Sequence, residues 1–144
     1  MLARLLCMLV VAAASAVANA GEGDADKARA MLERVAVEVT KDQAVAVQMF
    51  TKGENGFRDG DIYPFCFRLS DGIVITGQTA GRDIRTFSGA AGQQMFDAAH
   101  KPEGEISRLE YLGPRPGAVD RTPVRKVSFL RRIGELGCGV GYYP

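Results

Sequence analysis

The sequence predicts an α+β fold: a long amphipathic helix at the amino end, then one antiparallel sheet of about five strands with a helical flap set between them. Three observations predict it. Ala28, Met31, Leu32, Val35 and Val39 follow helical spacing. Strand-like runs occur at residues 62–69 and again at 105–112, 124–133 and 136–143. Between these groups, residues 77–92 are rich in glycine, alanine and polar residues yet carry the buried-type Ile84 and Phe87, which suits a structured flap better than a linker.

Taken in order, the chain opens with the form of an export signal. Arg4 gives a basic start, Leu5 to Val17 is an apolar or small-residue run, and Ala18, Asn19 and Ala20 make the small-x-small site that signal peptidase cuts. Residues 1–20 are therefore expected to be a signal peptide, residues 21–144 a single mature domain, and the location periplasmic or secreted. A retained anchor is the alternative, but the run is shorter than the roughly 20 residues a membrane helix needs. No membrane insertion of the mature chain is expected.

After a polar lead in which Asp24 or Asp26 is placed to cap, the first helix sets Lys27, Arg29, Glu33, Arg34 and Glu38 mostly opposite its apolar face. A second helical piece, residues 43–50, follows Asp42, either continuous with the first or bent from it, with Val45, Met49 and Phe50 read as core. Glycine and Asx residues at 53–61 supply turn chemistry. In the first strand Tyr63, Phe65, Phe67 and Leu69 share a face, and Pro64, which has no N–H to donate, places the strand start at an edge, an end or a bulge. Asp71 and Gly72 then join it to residues 73–76 as a hairpin. A flap helix is expected over residues 93–100.

The last run is the most telling. Gly137, Gly139 and Gly141 fall on one face and Cys138, Val140 and Tyr142 on the other, because strand side chains alternate. Three glycines at period two leave one face bare and imply that a helix or a ligand approaches the backbone there.

Composition excludes several functions. The 18 basic and 17 acidic side chains nearly balance, and removal of Arg4 with the signal makes them equal, so nucleic acid is not an expected partner. His100 is the only histidine and no nucleophile and base pair forms around it in sequence, so no catalytic residue is assigned and an enzyme is not expected. No metal is assigned, because the cysteines lack the close paired spacing of zinc sites, and no phosphate loop or other cofactor motif appears. Cys7 leaves with the signal. Cys66 and Cys138 remain, and in an oxidising compartment they form either a disulfide or two free buried thiols.

Asp61, Ile62, Tyr63, Pro64 and Phe65 entering the first strand, Gly81 to Ile84 in the flap, Tyr111 ahead of a proline loop, Lys126 to Leu130, and the terminal Gly139 to Tyr143 recur in order and spacing across nearly the whole mature chain. In these residues the sequence resembles the single Cache domains, PAS-like extracytoplasmic modules that sense small molecules. The resemblance implies a PAS-like sheet whose first and last strands are neighbours, which brings Cys66 and Cys138 within range of a bridge. It also implies a pocket between sheet and flap, with Tyr63, Phe65, Tyr111, Lys126 and Ser128 near a small carboxylate or amino-acid-like ligand.

The residues permit this independently. Lys126, Ser128 and Leu130 share a strand face, and a lysine among apolar neighbours favours an anionic partner, although an exposed Lys126 on a solvated face is the other reading. Arg82 and Arg115 are read as surface charges. The chain departs from the family's usual pattern at Thr76, at Ser88 to Ala90, at Gly113 and at Phe129, where a polar or aromatic group is commonly found. The expectation is thus a stand-alone periplasmic binding and sensing module that acts through a membrane-bound sensor or transporter partner. The alternative is an interaction or structural accessory with a degenerate pocket.

Overall fold

In this computed structural model residues 20–144 are described, so the expected export signal lies outside the described residues but for its last position. Helix α1 spans Ala20–Lys41, starting ahead of the expected cap. Asp24 and Asp26 lie inside it, where acidic side chains early in a helix are favoured by the dipole. Its apolar stripe is buried as the spacing requires: Ala28, Leu32 and Val35 are fully enclosed, with Met31 and Val39 nearly so.

Asp42 bends the chain into α2, Gln43–Lys52, its carboxylate accepting the Val45 N–H at 3.1 Å while Gly53, at φ 68°, ends the helix in the left-handed conformation. Phe50 is buried and Met49 packs against the core, but Val45 is exposed. Ala46 and Phe50, four residues apart, define the inward face, and Val45 is turned about 100° from Ala46.

Four antiparallel strands, β1 Tyr63–Arg68, β2 Ser107–Gly113, β3 Val124–Ile133 and β4 Leu136–Tyr142, form a sheet in the order β1-β4-β3-β2. A fifth strand at residues 73–76 was expected from sequence. Those residues do fold back on β1, where the Ile75 N–H bonds Cys66 O at 2.9 Å and the Arg68 N–H bonds Ile73 O at 3.0 Å. They stop at isolated bridges because Gly77 turns the chain away into a 3₁₀ turn, Gly77–Thr79. Thr76 completes the edge: its Oγ1, fully inside the protein, accepts the Cys66 N–H at 3.0 Å. Cys66 thus spends both backbone groups outward. Pro64, in the same register, removes nothing from the β1–β4 ladder.

The register pairs Cys66 with Cys138 directly, with α-carbons 4.2 Å apart, and the two form a disulfide. Both are completely buried on the α1 side of the sheet, among Leu32, Val35, Val127, Phe129 and Val140. The opposite face carries a second apolar cluster, in which Phe67, Leu69 and Leu130 pack under α3, Ala90–Ala98, and Ile84 of the flap.

Candidate functional site

The bare face of β4 is what makes room for the site. A Cβ on Gly137 would stand 2.6 Å from both Ala99 Cβ and the Phe67 ring, and one on Gly139 would stand 2.6 Å from the Phe65 ring. One on Gly141 would lie 2.6 Å from Lys126 Cε and from Ser128 Oγ. The close approach expected from the glycines is thus made by the chain after α3 at Gly137 and by neighbouring side chains lying flat across Gly139 and Gly141.

Above that floor, between the sheet, the flap of residues 77–92 and the proline loop of residues 113–123, lies a cavity of about 360 Å³. Tyr63, Phe65, Tyr111 and Lys126 of the sequence-expected set line it. Ser128 stands beneath them, fully buried, its Oγ 2.9 Å from the Tyr111 hydroxyl, so its place is to hold that phenol. Arg82 is exposed, as read from sequence, and also lines the cavity, its guanidinium 4.4 Å from the centre of the Phe87 ring. Arg115 is exposed as expected and pairs with Asp61 at 2.6 Å beside a smaller neighbouring concavity.

Sequence reading missed Tyr143 and Arg121. Tyr143 carried a signal, since alternation along the terminal run puts it on the glycine face; Arg121 sits in an irregular loop where no periodicity marks it.

Lys126 dominates the electrostatics. It is 8% exposed, and its Nζ lies 5.2 Å from the ring centres of both Tyr63 and Tyr143. None of the described carboxylates forms an ion pair with it. Asp61, whose charge is felt there, is already paired with Arg115. Burial is the larger effect and pushes the ammonium down from 10.5 to about 8, against a weaker upward pull from Asp61. Burial also raises the phenols. Tyr111 is pushed up to about 12, against the lowering effect of its bond to Ser128, and Tyr63 and Tyr143 move up chiefly by burial as well. At neutral pH the cavity therefore presents a protonated, unpaired ammonium set between neutral phenols.

The departures from the resembled pattern have separable consequences. Phe129 faces α1, under the guanidinium of Arg29 at 4.1 Å, so its missing hydroxyl takes nothing from the cavity. Thr76 caps the edge of β1. Ser88 and Gly113 do line the cavity, where they leave small, open wall positions. His100 is exposed at the end of α3, its Nδ1 2.7 Å from Phe96 O, and is not among the lining residues.

No family model matches the chain, and no curated protein matches it. Solved structures do. A methyl-accepting chemotaxis protein from Vibrio parahaemolyticus RIMD 2210633 aligns at TM-score 0.63 and 14% identity, over 85% of this chain and 89% of that one. The periplasmic sensor domain of a chemotaxis protein aligns at TM-score 0.58 and 18% identity, over 85% and 91%. A Cache chemosensory domain solved for the structural basis of its carboxylic acid recognition aligns at TM-score 0.59 and 18% identity, over 85% and 89%. The chain has the fold of these Cache chemosensory domains.

Proposed function

We propose that the chain is a periplasmic or secreted binding and sensing module for a small carboxylate. Residues 1–20 direct export and are removed, residues 21–144 act as one domain, and occupancy of the cavity is passed to a membrane-bound sensor or transporter partner. The observation that carries this reading is Lys126: a buried ammonium with no carboxylate to answer it, opening on a cavity of ligand size. A buried charge left unpaired is costly, and an anion entering beside it removes that cost. The carboxylic acid recognition of one structural relative supports the same chemistry. No helix among the described residues is long and apolar enough to cross a membrane, which agrees with reporting through a partner.

Binding rather than catalysis is the fitting chemistry, because the lining hydroxyls of Thr79, Thr86 and Ser88 have no histidine or carboxylate among the lining residues to act as their base. A thermal-shift screen of small carboxylates and amino acids on the mature protein tests the reading. A ligand at a hundred times its dissociation constant adds about 2.7 kcal/mol of stability, and Lys126→Met is expected to lose that gain. A screen in which no acid stabilises the protein would instead favour an accessory whose pocket has lost its ligand.

A further inference from the structure

The two edges of the sheet are unequal. Along β1 the outward backbone groups are taken up by Ile73, by Ile75 and by Thr76 Oγ1. At the other edge β2 has only β3 beside it. Ladder bonds alternate in side from one residue to the next, so with Cys66 turned outward, Cys138 bonds Arg131 and Leu130 bonds Ser107. Arg108, Glu110 and Leu112 therefore turn both N–H and C=O away from β3, and these groups have no hydrogen-bond partner among the described residues. Their side chains are exposed as well, Leu112 by 64%, because α1 packs over β1, β4 and β3 rather than over β2. A bare edge of this kind is a template for another strand.

We infer that β2 pairs antiparallel with β2 of a second copy of this chain, about a twofold axis at Leu109, so that the two sheets become one. The charge pattern selects both the occupant and the register. With the axis at Leu109, Arg108 stands opposite Glu110 of the second copy and Glu110 opposite its Arg108, two attractive pairs made by one self-complementary patch. Leu112 then meets Ile106 of the second copy, which is half-buried on the same face of the strand. An axis at Arg108 or at Glu110 would instead set that residue against its own copy, like charge against like, which destabilises the pairing. Glu110 already holds Arg125 of β3 at 2.6 Å, so the arriving arginine completes a ladder of alternating charge across three strands. Within one copy Arg108 reaches Glu110 only at 3.3 Å and gives up that contact for the cross-strand one. The inference does not depend on what the cavity binds.

Analytical ultracentrifugation of the mature protein over a concentration series, with two charge-reversal variants, tests this. The wild-type mass is expected to rise from monomer to dimer with concentration. Arg108→Glu and Glu110→Arg change exposed side chains, and circular dichroism should find both variants folded. Each alone is expected to weaken association by about tenfold, since two attractive cross-strand pairs become two repulsive ones. Mixed in equal amounts, the two variants are expected to associate again, because an Arg108→Glu copy facing a Glu110→Arg copy restores opposite charges at both pairs. A wild-type protein that stays monomeric into the millimolar range would overturn the inference. So would a dimer that both variants keep at full strength, which would lie on another surface. Variants that weaken alone and stay apart when mixed would overturn the register centred on Leu109.

Discussion

Lys126→Met is expected to make the unliganded protein more stable while destroying its capacity to bind an acid. The depression of the ammonium from 10.5 to about 8 means that the fold disfavours the charged form by about 3 kcal/mol. Methionine has nearly the same reach and no charge, so it removes that burden. It also gives up the attraction of the ammonium for the rings of Tyr63 and Tyr143, worth about 1 kcal/mol in all, leaving a net gain of about 2 kcal/mol at pH 7. The gain depends on pH in a fixed direction. Below pH 8 both folded and unfolded chains carry the proton and the whole penalty is present. Between about 8 and 10.5 the folded protein loses its proton first, so wild-type stability rises with pH by an amount the methionine variant lacks. Urea denaturation of both proteins at pH 7 and pH 10 reads this as a gap that narrows at the higher pH. A variant less stable than wild type at pH 7, or a gap independent of pH, would refute the claim that Lys126 is buried charged and unanswered.

Leu32→Ala removes a fully enclosed side chain from the stripe of α1 and should cost about 2–5 kcal/mol in the same denaturation assay; a cost near that of a surface change would mean that α1 is not packed on the sheet. Intact mass of the non-reduced, alkylated protein should show no modified thiol. Replacing both Cys66 and Cys138 by alanine should cost up to about 4–5 kcal/mol, since the bridge closes a loop across a sequence separation of 72. Gly137→Ala presses on buried neighbours at Ala99 and Phe67 and should destabilise by about 1–3 kcal/mol. Gly141→Ala meets Lys126 Cε and the buried Ser128 Oγ, both at 2.6 Å, so calorimetry should find acid binding weakened together with a loss of stability.

Where a regular period governed the backbone, the sequence was legible. The helical stripe of α1 is buried residue for residue, and alternation put Lys126, Ser128 and Leu130 on the face away from α1. The glycine run identified the bare face of β4 for the same reason. What period does not govern was less legible. Opposition of Cys66 and Cys138 needed the strand register, and a one-residue slip sends the side chains to opposite faces. Arg82 is exposed, as the sequence suggested, but that it also borders the cavity was not legible, because the flap has no repeat to show which way a residue turns. Ser128 was expected beside the ligand, yet its short side chain lies below the floor and reaches only Tyr111. Val45 shows the limit within a helix: its apolar type marked it as core, but the position of Ala46 and Phe50 decided the inward face.

The central claim is that an anion occupies the place of the counter-ion Lys126 lacks. An NMR titration of the Lys126 side chain, with and without saturating succinate, tests it most directly. The free protein should titrate near 8, because burial outweighs the weaker upward pull of Asp61. Bound succinate should move the midpoint upward, toward or beyond the ordinary 10.5, because a carboxylate beside the ammonium favours the charged form. By linkage, affinity should then fall as pH rises above 8. A midpoint already at the ordinary lysine value in the free protein, or one that succinate binds without moving, would contradict the account.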